Sequence, residues 1–418
     1  MKSFKVLLTI FSLLSVLIFF SFVEESWACI FLYVLLGIVV YISCGTQQTV
    51  LYNTGMLLVI IFLTINKSIY GGYLLLSQDS DDFMYETYGL GFEAFYGIDF
   101  RYIYDYIGIL HNSAGYVYII SLLAYFARCL DGYHHFLPII LNVFLLNVTG
   151  SIVSKVARHY NANEIVIKKG NVLWSLYPCL IHLVSFVFRD MVVGFLMVLI
   201  YYQLIINNNI IKRIIIIGIC LLSLYYLRFQ AFLMCAFLVV LFQFNIEKIN
   251  TKTLLLLIPA LFAFMWVVNT YNIDDKITSY TELRAETGGG IMNRMMNLPI
   301  YIGIIPRLCV LSITPFVVPE VTQAIAGISG ILQLFFTPII IKALFNTKVD
   351  MKLKMTFLLF FIGVSISTFT FRHVCMYLPF AFVLCMVDWR NQGASKGLMK
   401  YVVLYGVMWI VSLGLLLI

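Results

Sequence analysis

Apolar runs of roughly 15 to 20 residues recur along this chain from end to end, and nothing else in it constrains the fold as strongly. A helix needs about 20 apolar residues to cross a hydrocarbon slab of roughly 30 Å. Within lipid such runs must be helical, because each backbone donor and acceptor has to be satisfied inside its own segment. With 62% apolar residues, 11% charged residues and a mean hydropathy of +0.97, no soluble core could hide them. The expectation is an all-α polytopic transmembrane bundle, one integral membrane domain over 1–418, with two long outer loops at 67–107 and 269–320.

The candidate spans are 4–23, 27–44, 51–66, 108–127, 136–154, 171–187, 190–206, 214–227, 230–244, 253–268, 321–341, 355–371, 373–387 and 401–418. Lysine and arginine mark the cytoplasmic side. Lys2 and Lys5 do so, as do Lys155 with Arg158, Lys212 with Arg213, Lys248 with Lys252, Lys342 through Lys354, and Arg390 through Lys400. Keeping these on one side places 298–315, interrupted by Pro299, Pro306 and Pro315, in the interface. It also requires an odd number of crossings between 106 and 154, which gives 13 spans within a range of 11 to 14. The net charge of +7 is scattered in these clusters and forms no stripe, so nucleic acid is not an expected partner.

The densest polar stretch is QDSDDFMYETY, beginning at Gln78 and continuing to Asp105. Seven carboxylates there meet two basic residues, Lys67 and Arg101. If the segment from Asp81 is helical, Asp81, Tyr85 and Tyr88 share a face. A carboxylate above aromatic rings can hold a sugar and take a hydroxyl proton, which makes Asp79, Asp81 and Asp82 the candidate bases, with Tyr85 and Tyr88 as binding residues. The plainer reading is a solvated acidic loop. Asp79-Ser80-Asp81 also spells DxD, but a three-residue match is common by chance and implies no metal here.

Arg189 with Asp190 divides the apolar stretch 171–206, Arg228 divides 214–244, and Arg372 with His373 divides 355–387. Charge so near lipid is costly and usually has a partner or a task. Three arginines at three hairpin tips on the outer face suit a phosphate or pyrophosphate, which guanidinium forks grip bidentately. Alternatively each marks a helix end and reaches to water, or Arg189 and Asp190 neutralise one another. The six histidines form no metal-binding spacing, the nine cysteines read as small hydrophobes, and Gly288-Gly289-Gly290 lacks the lysine of a phosphate loop. No metal and no cofactor are expected.

The order of these features resembles the bacterial oligosaccharide repeat-unit polymerases of O-antigen and capsule assembly (Wzy-type) and the related GT-C membrane glycosyltransferases. The matching pieces are DSDDFMYETYG, LPIILNVFLLNVTGSIVSKVARHY with its embedded Asn142, SLYPCLIHLVSFVFRDMVVGF, YLRFQAF, ITPFVVPE and FRHVCMYLPFAFVL, together touching residues 77–387. Phe229 departs from a proline common at that point. Three spans before the acidic stretch, where a single-sugar transferase has one, favour a polymerase. The resemblance implies residence in the bacterial inner membrane and a polyprenyl-pyrophosphate-linked oligosaccharide as substrate. It implies membrane lipid, a chain-length regulator and a flippase as partners. It also implies that Asp79, Asp81 or Asp82 acts as base while Arg189, Arg228 and Arg372, beside His373, hold the pyrophosphate. A flippase or transporter for the same lipid-linked glycan is the competing expectation, although no internal repeat supports it. An O-acyltransferase built on His182 is a third.

Overall fold

A computed structural model describes residues 2–70, 81–107, 113–243, 306, 309, 323–367, 373–392 and 397–417. Among these it is 87% helix, with no strand. Sixteen α-helices follow one another: α1 (Lys2–Ile18), continued by a π-helical turn over Phe19–Val23, α2 (Trp27–Cys44), α3 (Thr46–Tyr70), α4 (Asp81–Tyr96), α5 (Ile103–Ile107), α6 (Ala114–Arg128), α7 (Phe136–His159), α8 (Glu164–Ser175), α9 (Pro178–Val184), α10 (Asp190–Ile206), α11 (Ile210–Leu227), α12 (Phe229–Leu241), α13 (Gln323–Phe345), α14 (Met351–Ser367), α15 (Val374–Gln392) and α16 (Leu398–Leu417). Six are long and apolar enough to cross a membrane: Val6–Val23, Trp27–Cys44, Thr46–Ser68, Phe136–His159, Ile210–Leu227 and Leu398–Leu415. Five shorter apolar helices accompany them. Span 253–268 and all but two residues of the 269–320 loop lie outside the described residues.

Two expected segments take a different form. The apolar stretch 171–187 is broken into α8 and α9 at Leu176 and Tyr177, because Pro178 occupies the first turn of α9, where its missing N–H costs nothing. The acidic stretch carries α4, a 3₁₀ turn at Phe100–Tyr102 and α5, so it is structured and not an open loop.

The chain forms two compact units, one of Met1–Lys155 with Lys168–Leu233 and the other of Val156–Ile167 with Met234–Ile418. In the first, α3 packs against α1 and α2, α4 against α6, and α10 against α11. Buried polar side chains tie these helices. Gln48 Nε2 donates to the Asn147 carbonyl at 2.8 Å, and Asn171 Nδ2 donates to Gln48 Oε1 at 2.7 Å. Tyr33 donates to Asn53 at 2.7 Å. Asp131, in the α6–α7 connection, accepts from the backbone N–H groups of Trp27 and Ala28 and so satisfies the first turn of α2.

In the second unit α15 lies against α13 and α14, and α13 also meets α16. Lys342 and Lys354 are expected as water-facing topology marks, yet both are buried. Lys342 Nζ stands 3.2 Å from Asp388 Oδ2, and Lys354 Nζ donates at 2.6 Å to the carbonyl of Asn346. Asn346 in turn donates to Asp388 at 2.8 Å. A buried ammonium is tolerated only with such partners.

Candidate functional site

The site of the first unit is built where two helical turnings meet. Arg189 precedes α10, whose first residue is Asp190, and Arg228 separates α11 from α12 in an extended backbone conformation. These two dipeptides grip each other reciprocally. Arg189 Nη1 donates to the carbonyl of Leu227 at 2.8 Å, and Arg228 Nη1 stands 2.6 Å from Asp190 Oδ1. Asp190 therefore neutralises the arginine of the opposite tip and not its chain neighbour. Its place in the first turn of α10 also sets a negative charge against the positive end of that helix.

Three more elements converge here. Arg189 Nη1 donates to Ser113 Oγ at 2.7 Å, just before α6, and its guanidinium carbon lies 5.9 Å from the ring centre of Tyr85 on α4. Tyr85 meets Tyr116 of α6 edge to face, with ring centres 5.0 Å apart. Asn142, in the apolar run of α7, donates at 3.1 Å to the carbonyls of both Phe186 and Phe188, so it holds the non-helical link between α9 and α10. That link leaves carbonyls of two buried residues outside any helix, and Asn142 supplies their donor.

Small residues set how closely these elements approach. A Cβ on Gly115 would lie 3.2 Å from the Tyr226 carbonyl carbon, a tight contact, so glycine eases the close approach of the start of α6 to the α11 tip. A Cβ on Gly89 would collide with the Ile120 side chain, and its absence seats α4 against α6.

The carboxyl groups of α4 sort into two sets. Asp81 and Asp82 open the helix, and Asp81 precedes Tyr85 by one turn, about 6 Å along the axis. Glu86 and Glu93 are buried. Glu86 accepts from the Tyr133 hydroxyl at 2.8 Å, and Arg128 Nη2 lies 2.6 Å from the Glu93 carboxylate. Burial, then the neighbouring Glu86, hold the Tyr133 phenol well above its ordinary range, so it remains a donor at neutral pH.

Of the residues expected from sequence, Arg189, Arg228 and Tyr85 come together. Tyr88 is exposed and meets Tyr106 with ring centres 6.1 Å apart. His373 is buried at the start of α15 and belongs to the second unit. Asp79 and Arg372 lie outside the described residues. His182 is enclosed by the rings of Phe62 and Phe186 at 5.4 and 5.0 Å. Ser113, Tyr116 and Glu86 were not singled out from sequence. The signal for Glu86 was its place beside Tyr85, and Ser113 and Tyr116 offered none. Among the described residues no cluster of His, Cys, Asp or Glu could hold a metal ion.

Chemically, the cluster offers two guanidinium groups, one carboxylate already engaged, a hydroxyl and two phenols, with the acid-rich first turn of α4 close by. Such a set can grip an anionic oxygen and orient a hydroxyl beside it. Comparison with protein-family models, curated proteins and solved structures finds no match to this chain.

Proposed function

We propose that the protein is a membrane glycosyltransferase of surface polysaccharide assembly, polymerising polyprenyl-pyrophosphate-linked repeat units at the outer face of a bacterial inner membrane. The observation that carries this reading is the meeting of Arg189, Arg228 and Tyr85 one helical turn from Asp81. The membrane frame proposed with it has thirteen crossings, with the lysine clusters inside and the arginine tips outside.

In the proposed reaction an acceptor sugar hydroxyl attacks the anomeric carbon of the donor. The carbon–oxygen bond to the pyrophosphate breaks, and its electron pair leaves on the phosphate oxygen. A carboxylate from Asp79, Asp81 or Asp82 receives the hydroxyl proton. Arg189 steadies the developing negative charge, with Arg228 held ready by Asp190. The donor brings its own leaving group, so this scheme calls on no cofactor. A chain-length regulator and a flippase are the proposed protein partners.

Deletion in a bacterium that makes a repeat-unit glycan tests this. Single repeats still attached to their acceptor support polymerisation, whereas loss of all displayed glycan supports the flippase alternative. Arg189→Ala and Asp81→Ala, restored on a plasmid at normal protein level, are expected to leave short chains. Full chain-length recovery by both would remove the site assignment.

A further inference from the structure

The helix that carries the acid-rich segment is turned inside out for an aqueous setting. A surface helix in water buries its apolar side and exposes its charges. Among the described side chains of α4, the two carboxyl-bearing residues Glu86 and Glu93 are only 9% and 7% exposed, each pinned inward by Tyr133 or Arg128. Its large outward residues are Phe83, Tyr88, Leu90, Phe95 and Tyr96, joined by Tyr102 after the turn, and Phe95 is 76% exposed. Tyr96 and Tyr102 stack with ring centres 5.0 Å apart, so the outward surface continues from α4 onto the 3₁₀ turn.

We infer that this aromatic face of α4 and the following turn is embedded in the lipid of the bilayer interface. Three observations select lipid as the occupant. The outward side chains are those enriched where hydrocarbon meets headgroups. The helix rises about 24 Å over its 16 residues, less than the roughly 30 Å of a crossing, and it ends at Gly97, whose φ of +61° turns the chain. The exposed guanidinium groups of Arg101 and Arg128 flank the aromatic surface, where phosphate headgroups would meet them. Thus α4 lies along the membrane, with Glu86 and Glu93 turned toward the protein and its exposed rings toward acyl chains. This placement stands apart from any particular reaction. A lipid-borne substrate of any chemistry would reach Tyr85 and Arg189 sideways along α4, without first entering water.

The test is photo-crosslinking of the full chain in liposomes of phosphatidylethanolamine and phosphatidylglycerol. One variant carries p-benzoylphenylalanine in place of Phe95. A second carries it in place of Ile219, exposed on the membrane-spanning α11, and a third in place of Asn208, in the exposed α10–α11 link. Phospholipid adducts at position 95 should come within about threefold of those at 219 and exceed those at 208 by about tenfold. A yield at 95 equal to that at 208 overturns the inference. So does crosslinking at 95 to another part of this chain or to a second copy, because protein and not lipid would then cover the face.

Discussion

Breaking the Asp190–Arg228 pair gives the sharpest measure of the reciprocal grip. Both side chains are almost out of contact with solvent, 4% and 10% exposed, and their nearest atoms are 2.6 Å apart. At a charge separation near 4 Å, an effective dielectric of about 20 gives an attraction of about 4 kcal/mol. Removing only one partner strands the other charge in a site that cannot hydrate it, so Asp190→Leu and Arg228→Met should each destabilise by about 3–5 kcal/mol. The double variant loses both charges together, so its cost should fall short of the sum of the two single losses by a coupling of about 2–4 kcal/mol. The assay is pulse proteolysis of purified protein in detergent across a urea series, comparing the four proteins of the cycle. Single losses near 1 kcal/mol, or losses that simply add in the double variant, would refute the argument. The pair would then be a hydrated surface contact, and Arg228 would not be locked to α10.

Two further outcomes follow from groups in the N-terminal part of α7 and just before it. Asn142→Leu removes the donor shared by the Phe186 and Phe188 carbonyls, and should cost about 2 kcal/mol in the same proteolysis assay while loosening the link before Arg189. His135, just before α7, is held down to about 3, chiefly by burial and further by His134 and Lys67. A histidine depressed in this way adds stability that is complete above the ordinary value near 6.5. That stability is lost as pH falls toward 3, by about 1.4 kcal/mol per unit. The midpoint of unfolding at pH 5 against pH 7.5 should show that loss, and His135→Gln should reduce it.

How much of this was legible in the sequence depended on the range of each interaction. Helix positions followed from local apolar runs, and the arginine tips from charge interrupting those runs at 189 and 228. Helical spacing puts Asp81, Tyr85 and Tyr88 on one face, yet Tyr85 is buried and Tyr88 exposed, a split that depends on what α6 covers. The pairing of Asp190 with Arg228 joins residues 38 apart through tertiary contact, which spacing does not encode. The same limit hid the burial of Lys342 and Lys354. Their positions at helix ends fit water or a buried carboxylate equally well until Asp388 is brought beside Lys342. Glu86 and Glu93 looked like solvent charges for the same reason, since their partners Tyr133 and Arg128 come from a different helix end. Only the break at Pro178 had a local cause that the residue type itself announced.

The crossed contacts between 189–190 and 227–228 also have a mechanical meaning. Each tip holds the other at two consecutive residues, once through a charge and once through a backbone carbonyl. Sliding one tip past the other would have to rupture both bonds at once, so α10 and α11 behave at that end as a single welded strut. Against that strut rests α4, through the contact of Tyr85 with the Arg189 guanidinium. α4 is in turn seated on α6 by the missing side chain of Gly89, so a movement of either helix pair at this end is passed to the other through Tyr85 and Arg189.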